Sequence, residues 1–173
     1  KYLLTKAGLK ITNLSFNQIN GGSIEVDVVK KSSKYKECKD LINWVLESEN
    51  VNQYNEIKKH QSFYNECLNH KKLLKKLLVT LKKQNKKVVG YGASTKGNVL
   101  LQFCGINSKI INNIAEVNKY KFNRYTPGSK IKIVSEKSVR LKKPDYMLVL
   151  PWHFKDYIVK RERNFLKNGG KLI

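Results

Sequence analysis

The stretch Val88-Val89-Gly90-Tyr91-Gly92-Ala93-Ser94-Thr95-Lys96-Gly97-Asn98 decides the fold. Two β-branched residues run into a glycine-rich turn with small hydroxyl residues and one lysine, and an apolar helical run follows. That order predicts a strand, a tight loop and a helix. Backbone N–H groups and the positive helix end then point at one place, an anion cradle. The loop departs from both common phosphate fingerprints. The dinucleotide pattern wants glycine three residues after Gly92, where Thr95 stands. Walker A wants Lys and then Ser or Thr after its second glycine, but Asn98 and Val99 follow Gly97. Both NAD chemistry and ATP hydrolysis lose support. The same glycines also suit a plain βα turn in which they only permit close packing.

Downstream, apolar runs and turn signals alternate. Lys87–Tyr91 is the first strand, Lys96–Cys104 a helix stopped by Gly105, and Asn113–Val117 a second strand. Ile131–Val134 and Tyr146–Leu150 are further strands, with a short helical turn at Ser135–Val139 between them. Phe154–Leu166 reads as one helix stopped by Gly169-Gly170, and Lys171–Ile173 begins a last strand. Alternating β and α predicts an α/β, Rossmann-like domain with a mostly parallel sheet flanked by helices. Upstream, Leu9–Phe16 and the alternating Ile24, Val26 and Val28 flank the turn signal Asn20-Gly21-Gly22, which predicts a β-hairpin. An isolated hairpin is marginal in water and needs a sheet to join. Two amphipathic helices follow, one on Tyr35, Cys38, Leu41, Ile42, Val45 and Leu46, the other running from Ile57 to Leu81. The expected organisation is hairpin over 1–31, linker and helices over 32–85, and the Rossmann-like domain over 86–173.

The 173 residues carry a net charge of +22. A nucleic-acid partner is the first thought. However, nearly all the basic residues are lysines, and base readers and phosphate forks favour arginine. The lysines come with abundant asparagine and isoleucine, as AT-rich coding would produce, and those between Lys71 and Lys83 read as a solvated helix face. Cys38, Cys67 and Cys104 are odd in number and form no CxxC pair, so neither a zinc site nor a disulfide framework is expected. No long apolar run and no signal peptide are visible, and a cytoplasmic location is expected. A start at Lys1 rather than Met is what an excised fragment would show.

In open parallel sheets ligands bind beyond the carboxyl ends of the strands. The first strand end offers Gly92, Ser94, Thr95, Lys96 and Asn98; the second offers Glu116, where such folds place a ribose-binding acid. The long loop before the third strand adds Arg124 and Tyr125, and the fourth strand end adds Trp152 and His153. These groups are expected to converge on one edge as phosphate donors, a hydroxyl acceptor and an aromatic platform. Each has a plainer reading: Glu116 as a solvated acid, Trp152 as a core plug, and the loop's Thr126-Pro127-Gly128 as a β-turn. His153 is the one candidate base, without a predicted carboxylate partner. No activated nucleophile is evident.

Gly90-Tyr91-Gly92-Ala93-Ser94-Thr95-Lys96-Gly97-Asn98, then Tyr125-Thr126-Pro127-Gly128, then Pro144-Asp145-Tyr146 with Leu150-Pro151-Trp152-His153-Phe154-Lys155-Asp156, resemble the C-terminal domain of SAM-dependent sugar C-methyltransferases. Gly8-Leu9 with Gly21-Gly22-Ser23 is similar to the last hairpin of that family's central domain. The resemblance implies an enzyme acting on a nucleotide-linked keto-deoxysugar bound between domains. It implies zinc in an N-terminal domain and SAM in the central one, with the His-Glu-His catalytic motif upstream of Lys1. No catalytic residue is then expected in this chain. Its own part would be the nucleotide-diphosphate sugar, with Ser94, Thr95, Lys96 and Asn98 lining an anion site and Tyr125 and Trp152 touching base or sugar. Glu116 stands where the family commonly has aspartate, Asn20 where histidine is common, and His153 where asparagine is frequent. A basic module for nucleic acid or an acidic partner and a free-standing Rossmann oxidoreductase are the alternative readings.

Overall fold

A short helix, α1 (Tyr2–Lys6), precedes strand β1 (Leu9–Asn17). Asn20, Gly21 and Gly22 adopt positive φ in the turn, and β2 (Ser23–Lys30) returns antiparallel. Apolar residues face each other across the hairpin, Leu14 with Val26 and Phe16 with Ile24, and a bulge interrupts the register between Ile11 and Asn13. Helix α2 (Lys39–Val51) packs along β1; the Cys38 N–H donates to the Ile11 carbonyl, and Ile11 and Ile42 are buried. The computed structural model describes residues 1–173, which divide into units Lys1–Asn65 and Glu66–Ile173. The division falls within the long helix α3 (Ile57–Lys83).

The second unit is built on five parallel strands: β3 (Val88–Tyr91), β4 (Asn113–Glu116), β5 (Lys132–Ser135), β6 (Tyr146–Val149) and β7 (Lys171–Leu172). Their order is β5-β4-β3-β6-β7. The chain winds outward one way from β3 and then jumps back to β6 on its other side. The β3–β6 junction is therefore the topological switch point, where an open α/β sheet leaves a crevice.

Period-2 alternation gives the sheet two apolar faces. Ile114, Ile133 and Leu148 face one way and join Leu74 and Leu78 of α3 with Leu101 and Cys104 of α4 (Thr95–Cys104). Val89, Tyr91, Ala115 and Met147 face the other way. They meet Val139 of α5 (Glu136–Leu141), Ile158 of α6 (Lys155–Arg161) and Phe165 of α7 (Arg163–Lys167). The result is the α/β, Rossmann-like arrangement with helices on both faces.

One sequence expectation is corrected. The single helix over Phe154–Leu166 is a 3₁₀ turn at Trp152–Phe154 and then two short helices, broken at Glu162 (φ −92°, ψ 17°). Glu162 leaves the helical backbone as its side chain turns inward to bond Tyr91 and Arg140. The loop before β5 runs along that strand. The Asn123 N–H donates to the Ile133 carbonyl, and the Ile133 N–H to the Arg124 carbonyl. This covers the exposed edge of β5.

Candidate functional site

The glycine loop owes its shape to three contacts. Ser94 caps α4: its hydroxyl accepts the Gly97 N–H at 3.0 Å. Gly97 is buried so close to β6 that a Cβ there would lie 2.6 Å from the Leu150 Cβ. Gly92 has φ +79° and a Cβ on it would strike the Pro151 ring at 2.8 Å. The loop is thus pressed against the end of the neighbouring strand.

Beyond the carboxyl ends of β3, β4 and β6, at the switch point, lies a cavity of about 530 Å³. Tyr91 and Ala115 line it from the sheet, Gly92 and Ser94 from the loop, and Pro151 and Ile158 from the segment after β6. Phe154 and Tyr157 are exposed aromatic rings on its border. The charged members are Glu116, Lys121, Glu136 and Arg161.

Glu116 is buried and its carboxylate is fully engaged within the protein. One oxygen accepts the N–H groups of Val117 at 2.8 Å and Asn118 at 3.0 Å. The other accepts the Ala93 N–H at 3.0 Å and faces the Lys121 ammonium at 3.5 Å. Burial alone would raise its pKa, but the Asn118 and Val117 N–H groups, Lys121 and the Ala93 N–H outweigh it and hold it below the usual range. Lys121 also donates to the Ala93 carbonyl at 2.9 Å, so the acid and the lysine together clamp the glycine loop onto the β4 end.

A second set of charges closes into a ring. The Tyr91 hydroxyl donates to Glu162 at 2.8 Å, and Arg140 bonds the same oxygen at 2.7 Å. Arg140 also lies 3.7 Å from Glu136, and Glu136 binds Arg161 at 2.6 Å. The Arg161 guanidinium sits 5.9 Å above the Tyr91 ring, which completes the circuit. Burial pushes the Tyr91 phenol upward and the Glu162 carboxylate reinforces the shift. For Glu162 burial is outweighed by Arg140 and the Tyr91 hydroxyl, and its pKa falls.

The expected convergence of site residues holds only in part. Gly92, Ser94 and Glu116 meet at the cavity. Thr95 and Lys96 are exposed at the start of α4, outside its lining, while Asn98 keeps a buried amide oxygen without a hydrogen-bond partner. Arg124 bonds the Tyr120 carbonyl and Tyr125 is exposed; neither lines the cavity. Trp152 is not a core plug: it is 56% exposed and lines a different cavity of about 330 Å³ with Leu74, Leu100 and Leu148. Phe154, two residues on, takes the place at the site that Trp152 was expected to hold. In a 3₁₀ turn successive side chains are about 120° apart, so positions two apart diverge. His153 packs on Phe154 at 4.3 Å, and its buried Nδ1 has no partner, so no orienting carboxylate equips it as a base. The Thr126-Pro127-Gly128 turn is structural: the Thr126 hydroxyl meets that of Ser129 at 2.6 Å and accepts the Ile131 N–H at 2.9 Å.

Tyr91, Lys121, Glu136, Tyr157 and Arg161 were absent from the sequence-based site. Two signals pointed to some of them. Glu136 follows the third strand end, the same position that singled out Glu116 after the second. Tyr157 and Arg161 are four apart, on one helix face.

No group of three or more His, Cys, Asp or Glu is placed to hold a metal ion, and Cys38, Cys67 and Cys104 are free thiols. The residues present do not fit zinc. They do not fit SAM or a dinucleotide at the loop either, because Glu116 has no open acceptor for a ribose. No helix is long and apolar enough to cross a membrane.

Residues 18–173 match the family described as C-methyltransferase C-terminal domain. The C-methyltransferase NovU of Streptomyces niveus is 29% identical over 171 residues, 99% of this chain. The chain spans 40% of that relative's length.

Proposed function

This chain belongs to the family of C-methyltransferase C-terminal domains, and on that footing we propose that it is the C-terminal part of a SAM-dependent enzyme that methylates carbon of a nucleotide-linked keto-deoxysugar. It forms one wall of the substrate cleft. The observation that carries this is the cavity at the switch point, walled by the glycine loop and bordered by Phe154 and Tyr157. A wall of this kind binds and orients; it offers no activated nucleophile and no oriented base. SAM supplies the methyl group from a site outside this chain, and no transfer step is assigned to residues here. Zinc likewise belongs to another domain of the whole protein, and the three unpaired thiols support a cytoplasmic setting.

Gly92 and Ser94 bring the substrate against the loop. Glu116 shapes that wall through Ala93 and Lys121 rather than by touching a ribose. Thr95, Lys96 and Asn98 follow Ser94 on α4, outside the lining of the cavity.

The test is calorimetric titration of the protein expressed from its own gene, with SAM present, against a panel of nucleotide sugars. Binding of at least one is expected, with an affinity that follows sugar and base identity more than salt. A folded protein that binds none overturns the proposal. A protein that instead binds nucleic acid, with affinity falling steeply as salt rises, replaces it with the basic-module alternative.

A further inference from the structure

A second cavity, of about 490 Å³, lies at the amino end of β6, on the sheet face that α5 and α7 cover. Met147 and the Phe165 ring supply its apolar surface. Gly170 lets that ring lie where it does, because a Cβ on Gly170 would be 2.3 Å from it. The charged and amide lining is Arg140 and Lys143, at the end of α5 and just past it, with Asn164 and Asn168 from α7 and its end. No carboxylate lines the cavity. Arg140 bonds the buried Glu162 through Nη2, and the same nitrogen is the one near Glu136. A guanidinium carries five N–H donors, so Nε and Nη1 remain for a further acceptor. Lys143 holds φ +47° just past α5, where glycine or asparagine is usual, and it forms no ion pair. Asp145, two residues on, is already held by the Lys87 N–H and by Lys86. The carbonyls at the two helix ends are also taken: Arg140 by the Lys143 N–H, Asn164 by the Asn168 N–H and Phe165 by the Gly170 N–H. What the lining lacks is therefore acceptors.

We propose that this cavity is a binding site for a small ligand with an oxyanion head, carboxylate or phosphate, on a flat apolar body. The head takes the remaining Arg140 N–H groups, the Lys143 ammonium and an Asn164 or Asn168 amide. Charge-assisted bonds of this kind are the strong ones. The body covers Met147 and Phe165; an apolar surface with a few convergent polar groups is the usual form of a small-molecule site. An uncharged ligand would leave the two cations without an acceptor, and a bare inorganic ion would leave the Phe165 surface wet. Glu162 anchors Arg140 from the buried side, so the guanidinium is in place before a ligand arrives. The site lies at the opposite end of the sheet from the cavity walled by the glycine loop. It neither uses nor depends on the function proposed above.

The experiment is a ligand-observed NMR titration of the protein expressed from its own gene. The probes are benzoate, phenyl phosphate, uncharged benzamide and inorganic phosphate. The variants are Lys143→Asn, Asn164→Ala and, as a control, Lys167→Asn, all at exposed positions. Asparagine accepts the left-handed backbone at position 143, so that variant removes the charge without straining the turn. At least one of the two aromatic anions is expected to bind about tenfold tighter than benzamide, and phenyl phosphate about tenfold tighter than inorganic phosphate. The preference between benzoate and phenyl phosphate then identifies the head group. Lys143→Asn should weaken the bound anion about tenfold and leave benzamide unchanged, and Asn164→Ala should weaken it about threefold. Lys167→Asn removes the same charge from α7 outside the lining and should leave all four probes unchanged. Several results overturn the assignment. They are no binding of either aromatic anion, benzamide as tight as the anions, or inorganic phosphate as tight as phenyl phosphate. An equal loss in Lys143→Asn and Lys167→Asn, the mark of general surface charge, overturns it too. So does unchanged anion binding in both Lys143→Asn and Asn164→Ala.

Discussion

The Tyr91 hydroxyl donates a 2.8 Å hydrogen bond to the Glu162 carboxylate, across 71 residues of sequence. Tyr91 ends the central strand and lines the cavity; Glu162 is 1% exposed at the break between α6 and α7. One buried carboxylate thus ties the floor of the candidate site to the helices that cover that sheet face, and through Arg140 to α5 as well.

Replacing Glu162 by alanine leaves the buried Tyr91 hydroxyl without its acceptor and empties a packed position. Arg140 is half exposed and recovers water, which limits its share. The expected loss is about 2–3 kcal/mol of folding stability, against about 1 kcal/mol for Tyr91→Phe. Urea denaturation of both variants measures this. Equal midpoints for Glu162→Ala and the unsubstituted protein would show that the pair is decorative.

Stability should fall in acid. Glu116 and Glu162 both have native pKa values below the ordinary one. Each therefore contributes stability that is complete above the unfolded value of about 4.3 and is lost as pH drops through the lower native value. Denaturation midpoints at pH 7 and pH 3 check this. The drop should shrink in Glu116→Gln and again in the double variant with Glu162→Gln. A drop of the same size in all three proteins would place the acid sensitivity elsewhere.

Gly97→Ala tests the contact between α4 and β6. The added methyl would sit 2.6 Å from the Leu150 Cβ and 3.0 Å from the Ser94 hydroxyl. Leu150 is fully buried and has nowhere to go, so α4 must lift. The cost should be about 1–3 kcal/mol, the range for overpacking a core, although alanine is the better helix former. Thermal denaturation reads the sign: an unchanged or higher Tm contradicts the close approach.

The three free cysteines should separate by reactivity. Cys38 and Cys67 are half-buried, whereas Cys104 is 0% exposed and burial raises its thiol pKa, against the pull of Lys71. A thiol-specific chromogenic reagent should modify Cys38 and Cys67 in the native protein and Cys104 only in denaturant. Modification of Cys104 at the rate of the others would mean that the α4 face of the core opens readily.

Much of the fold was legible locally. The β-branched pair Val88-Val89 running into glycine, the Ser94 cap and the Gly105 stop each depend on a few neighbouring residues, so the strand–loop–helix unit could be read directly. The hairpin from Leu9 to Lys30 was equally clear, since its turn glycines sit between alternating runs. The site was legible where a rule of position applied, as at Gly92, Ser94 and Glu116.

By itself, then, the sequence determined the α/β class, the order of elements and the glycine loop at the end of β3, because backbone preference and hydrophobic period are short-range properties. Only the tertiary structure decided the strand order that puts β6 beside β3, the inward turn of Glu162 and the divergence of Trp152 from Phe154. It alone brought Lys121 to Glu116 and Arg161 to Glu136 at the cavity. Such pairings join different elements, and the chemistry left over for a ligand depends on which partners folding has already used.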